Sequence, residues 1–122
     1  MARFRYLNLN PDGEKVGDCV TRAIALAMDM DYFDVSEDLV LSARQLNCDK
    51  LYVCCYSNLL NNIYDLEPVE CEGYTVNEFA DRHPYGSYII RMDSHLSCLI
   101  DGCVYDIWDC RNEILTHAWR VE

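Results

Sequence analysis

Basic residues are scarce in this sequence. Ten Lys and Arg stand against twenty-one Asp and Glu in 122 residues, which gives a formal net charge of −11. Binding to a nucleic-acid backbone or to an anionic membrane surface requires clustered Lys and Arg, so we expect neither partner. A cationic or neutral partner is compatible with the acidity, which also keeps a protein soluble.

Long hydrophobic runs are absent as well. No run approaches the roughly eighteen apolar residues of a membrane-spanning helix, and the opening segment MARFRYLNLN has neither the apolar region nor the cleavage site of a secretory signal. We therefore predict a cytoplasmic protein whose eight cysteines are mostly free thiols. There is no Cys-x-x-Cys pair, so zinc-knuckle spacing is missing. A metal among His95, Cys98, Cys103 and Cys110 is disfavoured, because Cys98 and Cys103 should point away from His95; we expect no cofactor.

Repeats, low-complexity segments and linkers are also missing, so residues 1–122 are predicted to form one domain. Apolar periodicity predicts helices over 19–28, 32–46, 56–63 and 75–83. Strand-like runs cover 3–8, 86–92, 95–100, 103–108 and 114–121. Asp18 is expected to cap the first helix, and Thr75 with Glu78 has the spacing of a capping box. Helices followed by strands predict an α+β fold, with the helices on one side of an antiparallel sheet.

The segment GDCVTRAIALA, residues 17–27, places Cys19 at the start of the first predicted helix. The free N–H groups and the dipole of a helix N-terminus favour a thiolate, the reactive form of cysteine. The Cys19 N–H could also stabilise an oxyanion. Asp18 opposes ionisation of the thiol unless its carboxylate is turned away, so a nearby base is needed.

Three histidines could supply that base. His83 precedes Pro84 and is interpreted as a helix C-terminal cap, and His117 as an ordinary residue of the last strand. His95 opens a strand and is the better candidate.

The partner of His95 follows from the Asp101-Gly102 hairpin turn. That turn would place residue 99 opposite 104 and residue 95 opposite 108, so that Asp106 lies diagonally across from His95, within side-chain reach. A carboxylate there would hold the imidazole in one tautomer. A bulge in the hairpin would bring Asp109 there instead.

This order, Cys19 on a helix, His95 on a strand and Asp106 on the next strand, resembles the papain-like cysteine peptidase superfamily. In papain the orienting residue is an Asn followed two positions later by Trp, and Asp106-Ile107-Trp108 has that spacing with Asp in place of Asn. The small size and the GDCVTRAIALA segment look most like compact bacterial or bacteriophage members. The similarity lies in order and spacing over about residues 8–110.

The resemblance implies a papain-like α+β fold and a thiol hydrolase of peptide, isopeptide or other amide bonds, with Cys19 as nucleophile. Its substrate would be a peptide or protein, a basic one being compatible with the charge. Transfer to an amine instead of water would make it transglutaminase-like. Papain has a Gln before its cysteine to complete the oxyanion hole, whereas no Gln precedes Cys19 here. Asn8 and Asn10 are the candidate substitutes, although Asn10 also reads as a turn residue.

Two alternatives remain open from the sequence. One is a non-catalytic binding protein on the same fold, a phage-encoded or host-interaction module that uses its acidic surface. The missing Gln and the short chain favour it. The other is a metal-binding module. The sequence gives no oligomeric state.

Overall fold

The computed structural model describes residues 1–14 and 17–121. The helices are α1 (Cys19–Met28), α2 (Tyr32–Leu46), α3 (Val53–Asn58) and α4 (Val76–Arg82). The first two have the predicted bounds. The third begins three residues before its predicted start, at Val53 instead of Tyr56, and continues as a π-helical turn, Leu59–Ile63. Among the described residues, no helix has the length and apolar character needed to cross a bilayer.

Six strands form one mostly antiparallel sheet, so the α+β class is confirmed. They are β1 (Arg3–Tyr6), β2 (Glu67–Pro68), β3 (Ser87–Met92), β4 (His95–Ile100), β5 (Cys103–Asp106) and β6 (Leu115–Arg120). Their order across the sheet is β1-β5-β4-β3-β6-β2, and β1 is parallel to β5. The two-residue strand β2 was not predicted.

The sheet is covered on both faces, which corrects the expectation that all helices pack on one side. Leu96 and Cys98 of β4 share a buried cluster with α1, α2 and α3. Leu99, with the opposite side-chain direction, belongs to a second cluster that contains Phe79 of α4. Side chains alternate between the two faces along a strand, so the sheet lies between α1–α3 and α4. The order of elements along the chain carries no information on which face a helix covers.

The β4–β5 hairpin has the predicted register, with Leu99 opposite Val104 and Ile100 opposite Cys103. Asp101 and Gly102 connect the strands with φ of 49° and 74°, the left-handed conformation that a type I′ turn requires at both positions. The predicted strand to residue 108 stops at Asp106, because the Ile107 N–H donates to the Asp106 carboxylate over 2.7 Å. The turn thus fixes where Asp106 stands relative to β4.

Helix α4 begins with a complete capping box. The Glu78 N–H donates to the Thr75 hydroxyl, and the Thr75 N–H donates to the Glu78 carboxylate. Both bonds satisfy donors that a helix N-terminus would otherwise leave unpaired. The predicted capping box is confirmed, and His83 is the C-cap residue of the same helix.

Loss of this cap should cost stability. Thr75→Ala removes the hydroxyl acceptor, and we expect a loss of about 1 kcal/mol in the free energy of unfolding, measured by urea denaturation. Thr75→Ser keeps the acceptor and serves as the control. Equal stabilities of the Ala and Ser variants would contradict the expectation.

Candidate functional site

Cys19 is the first residue of α1, as predicted. The first intrahelical bond runs from the Arg22 N–H to the Asp18 carbonyl over 3.1 Å. The N–H groups of residues 19–21 therefore have no partner within the helix, and their positive dipole end lies at the thiol. Cys19 is half-buried, so the thiol is partly shielded from water and still reachable.

The carboxylate of Asp18 is turned away from Cys19. It accepts bonds from Arg22 Nε at 2.7 Å, the Tyr32 hydroxyl at 2.8 Å and Asn10 Nδ2 at 2.9 Å. Burial of Asp18 opposes its ionisation, but these three donors outweigh burial and hold its pKa below the usual range. The expected side-chain cap is absent, since Asp18 makes no side-chain bond to the helix N-terminus. Its charge is neutralised by Arg22 instead of destabilising the thiolate.

His95 lies between Cys19 and Asp106. Its Nε2 atom is 2.7 Å from Asp106 Oδ2, and its side chain is 12% exposed. The Ser97 hydroxyl donates to the same carboxylate oxygen over 2.6 Å, and the Trp108 ring meets the imidazole edge-on at a centroid distance of 4.9 Å. The His95 imidazole also acts on the Cys19 thiol, whose pKa it lowers through a hydrogen bond and its charge. The imidazole is thus held in one orientation.

The structure brings Asp106, and not the alternative Asp109, to His95. The Asp109 carboxylate accepts two bonds of 2.8 Å from Arg111. Asp106 is buried, whereas the side chain of Asp109 is 44% exposed. The regular register across the Asp101-Gly102 turn is the reason, because the bulge needed to bring Asp109 forward is absent from β4–β5.

These contacts favour a charged pair of Cys19 and His95. Burial raises the pKa of the Cys19 thiol, but the hydrogen bonds of His95 and of the Leu96 N–H, with the charges of His95 and Arg22, outweigh it, and the pKa is lowered. Burial also disfavours the His95 imidazolium, but bonds to Asp106 and Cys19 raise its pKa to about 9. The thiol therefore loses its proton more readily than usual, and the imidazole keeps its own.

Arg22 is the site residue that the sequence analysis missed. It is 5% exposed, and besides Asp18 it reaches Asp106 Oδ1 with Nη1 at 3.2 Å. One guanidinium thus joins the start of α1 to the end of β5. The available signal was a single cation inside the apolar run VTRAIALA, four residues after Asp18, a spacing at which helical side chains meet.

The two candidate oxyanion donors are engaged elsewhere. Asn8 Nδ2 donates to the Glu14 carbonyl at 2.8 Å, and Asn10 Nδ2 donates to Asp18. The Asn10 side-chain oxygen accepts the Asp12 N–H at 2.9 Å, which is the turn role considered for it. Neither residue lines the cavity beside Cys19. The structure therefore does not bring them to the thiol.

A cavity of about 490 Å³ opens at Cys19 and His95. Its lining also includes residues 51–54, Tyr56, Arg91, Ser94 and Leu96. Leu51, Tyr52 and Val53 make part of this lining apolar. The thiol and the imidazole thus share one accessible cleft.

The other two histidines, His83 and His117, pack against aromatic side chains. His83 packs its ring on Phe79, with centroids 4.4 Å apart. His117 lies in β6 and stacks on Trp119 at 6.0 Å. Both interpretations from the sequence, a helix cap and a sheet residue, are confirmed.

The disfavoured metal set comes together only in part. Donor atoms of His95, Asp106 and Cys110 lie within 4.8 Å of one another, while Cys98 points into the cluster under α1. Burial raises the pKa of the Cys110 thiol to about 12, and Asp106 is already bonded to Arg22, His95 and Ser97. A cation here would have to displace these bonds, so the donor set suits a proton-holding network better than a metal.

No protein-family model, no curated protein and no solved structure matches this chain. A functional assignment therefore has to come from the side chains themselves.

The pairing of Asp106 with His95 predicts an unusual histidine titration. In an NMR titration of ¹⁵N-histidine, His95 should titrate near pH 9, above His83, whose pKa burial and two nearby arginines lower. Asp106→Asn removes the anion, so the His95 midpoint should fall. Asp109→Asn is the matched control and should leave it near 9. A His95 titration midpoint that is the same in Asp106→Asn and in the wild type would contradict the pairing of Asp106 with His95.

Removal of Arg22 should destabilise the fold in a pH-dependent way. Arg22→Met leaves two buried carboxylates without their cation, at a cost of about 3–5 kcal/mol near neutral pH, measured by urea denaturation. The lowered pKa values of Asp18 and Asp106 give the wild type a stabilisation that is fully present above the unfolded carboxyl pKa of about 4. It is lost as the pH falls below about 4 through the lowered native values, so the difference between the two proteins should shrink there.

The control for this experiment is Arg44→Met, because Arg44 is exposed near the end of α2. We expect a change within about 0.5 kcal/mol for such a surface substitution. A deficit of the Arg22 variant that stays constant with pH would contradict the role assigned to the carboxylates.

Proposed function

We propose that this chain is a thiol hydrolase of the papain-like kind, acting on a peptide, isopeptide or other amide bond. The observation that carries the proposal is His95 lying between the half-buried Cys19 thiol at a helix N-terminus and the buried Asp106 carboxylate. A nucleophile, a base and a group that orients the base are the three parts that covalent acyl transfer requires.

In the proposed reaction, the Cys19 thiolate attacks the carbonyl carbon and forms a C–S bond while the carbonyl π pair moves to oxygen. When the tetrahedral intermediate collapses, the C–N bond breaks and the His95 imidazolium gives its proton to the leaving amine. Water, deprotonated by His95, then attacks the thioester, and the carboxylic acid leaves as Cys19 regains its thiolate. Asp106 stabilises the imidazolium and fixes its orientation.

The papain-like assignment rests on the order of these residues and on the elements that hold them. Cys19 heads a largely buried helix packed on β4, and His95 begins that same strand. Asp106 ends the neighbouring strand, and Trp108 packs on the imidazole. A hydrolase becomes a transferase if an amine replaces water as acceptor, and the same residues would serve both reactions.

The site and the charge of the chain favour a particular class of substrate. The cleft has an apolar wall around Tyr52 and Val53, and the chain carries a net charge of −11. Apolar walls bind the body of a ligand, while the overall field raises the local concentration of cations. We infer a peptide or protein substrate that is neutral or basic.

A non-catalytic binding protein on the same fold is the second candidate. The positions of Asn8 and Asn10 favour it, because neither lines the cavity at Cys19 and one oxyanion donor is worth on the order of 3 kcal/mol in the barrier. A binding module would have no need for an ionised Cys19, so thiol reactivity separates the two functions.

Cys19 should therefore alkylate faster than the other cysteines at low pH. At pH 6, only a few tenths of a per cent of an ordinary thiol of pKa about 8.5 is ionised, whereas the lowered pKa of Cys19 favours its thiolate. We expect its labelling by iodoacetamide to exceed that of the exposed Cys54 by on the order of tenfold or more. Peptide mass spectrometry from about pH 5 to about pH 9 measures both rates in one sample.

His95→Ala should slow the labelling of Cys19 at low pH, because the cation that favours the thiolate is lost. His117→Ala is the matched control, since it removes an exposed histidine on β6. If Cys19 is labelled at the rate of Cys54 and His95→Ala does not change that rate, the hydrolase proposal is wrong. The non-catalytic binding protein is then the function that stays.

A further inference from the structure

With only the residues expected from the sequence, the proposed site has no side-chain donor for the oxyanion. Acyl transfer places negative charge on the carbonyl oxygen, and donors fixed in advance stabilise that charge. The Cys19 N–H is one such donor at the helix N-terminus. The side-chain amides of Asn8 and Asn10 donate to Glu14 and Asp18 instead.

Tyr56 is a buried polar residue that lines the same cleft. It lies on α3, is 5% exposed, and lines the cavity together with Cys19 and Arg91. A negative charge on Cys19 disfavours ionisation of the Tyr56 hydroxyl and raises its pKa.

Arg91 fixes the orientation of the Tyr56 hydroxyl. Arg91 Nε donates to the hydroxyl oxygen over 2.7 Å, and Arg91 Nη1 is itself anchored to the Thr116 hydroxyl at 2.8 Å. A phenol has one proton to donate, and among residues 1–14 and 17–121 no side chain or carbonyl accepts it. That proton is available to a group in the cleft.

The hydroxyl also keeps its proton near neutral pH. Burial raises the pKa of Tyr56, the bond and the charge of Arg91 lower it, the charge of Cys19 raises it, and the net result is a raised pKa. Arg91 therefore polarises the O–H group without removing its proton, which makes it a stronger donor.

We propose that the Tyr56 hydroxyl, held by Arg91, is the side-chain oxyanion donor of this site, in the role for which Asn8 and Asn10 were candidates. The inference rests on the proposed hydrolase function, because an oxyanion forms only if Cys19 attacks a carbonyl. Tyr56 would be a catalytic residue, and Arg91 a positioning residue acting through it.

An activated ester tests this role without knowledge of the natural substrate. With p-nitrophenyl acetate, the Cys19 thiolate forms a C–S bond to the carbonyl carbon, the π pair moves to oxygen, and collapse expels p-nitrophenolate to leave an acetyl thioester. Alkylation by iodoacetamide displaces iodide from a CH₂ group and forms no oxyanion. Comparison of the two reactions isolates the oxyanion donor from the thiolate.

Tyr56→Phe should slow acetylation of Cys19, followed by release of p-nitrophenolate and by peptide mass spectrometry, by on the order of a hundredfold. Its iodoacetamide rate and pH profile should stay close to those of the wild type, which also reports an intact site. Arg91→Met should give a smaller loss of acetylation, because the hydroxyl remains but is no longer held.

Tyr64→Phe is the matched control. It also removes a hydroxyl bonded to a charged side chain, that of Asp38, and it does not line the cleft. Its acetylation rate should equal that of the wild type.

The outcomes separate this inference from the proposed function. Loss of acetylation in Tyr56→Phe with normal alkylation supports the donor role. Normal acetylation in Tyr56→Phe, or no acetylation of a wild-type Cys19 that alkylates rapidly, overturns the donor role and leaves the thiolate–imidazolium pair standing. Slow alkylation of the wild-type Cys19 overturns both.

Discussion

The buried guanidinium of Arg22 is the constraint on which the site depends. Two carboxylates, Asp18 and Asp106, lie away from water at the start of α1 and at the end of β5, and each would be costly to bury alone. Arg22 contacts both, which leaves one negative charge uncompensated. A proton on His95 balances that charge, and this is the physical reason why the imidazole holds its proton to a high pH. The charge of Arg22 on α1 thus helps to set the protonation of His95 on β4.

Besides the chain of side chains Arg22, Asp106 and His95, a second chain of hydrogen bonds reaches the same cleft. It runs from Thr116 through Arg91 to Tyr56. In the proposed reaction, His95 of the Asp106 chain would carry a proton to and from the reacting groups, and the Arg91 chain would offer a hydrogen bond whose proton is not transferred. Under that proposal, acid–base work and charge stabilisation belong to separate networks, each of which contains an arginine. Separate networks let each group keep the pKa that its task needs.

Most of the fold could be predicted because its signals are local. The apolar stripes predicted the bounds of α1 and α2. The Asp101-Gly102 turn predicted the β4–β5 register that places Asp106 beside His95. What could not be predicted depends on long-range contacts. The sequence does not show that α4 covers the far face of the sheet, that Arg22 meets a carboxylate 84 positions away, or that Tyr56 lines the same cavity as Cys19. The partners of Asn8 and Asn10 could not be predicted either, because short polar side chains near a turn bond readily to nearby groups of the chain.

The short strands at both ends of the sheet have a consequence for how the protein behaves among its own copies. One edge is β1, four residues with the exposed arginines Arg3 and Arg5, and the other is β2, two residues that include Pro68. Charged side chains, proline and short length are the features that stop an open sheet from templating another strand. The sheet is therefore protected against edge-to-edge aggregation at high concentration, and its central strands β3 and β4 are mostly buried.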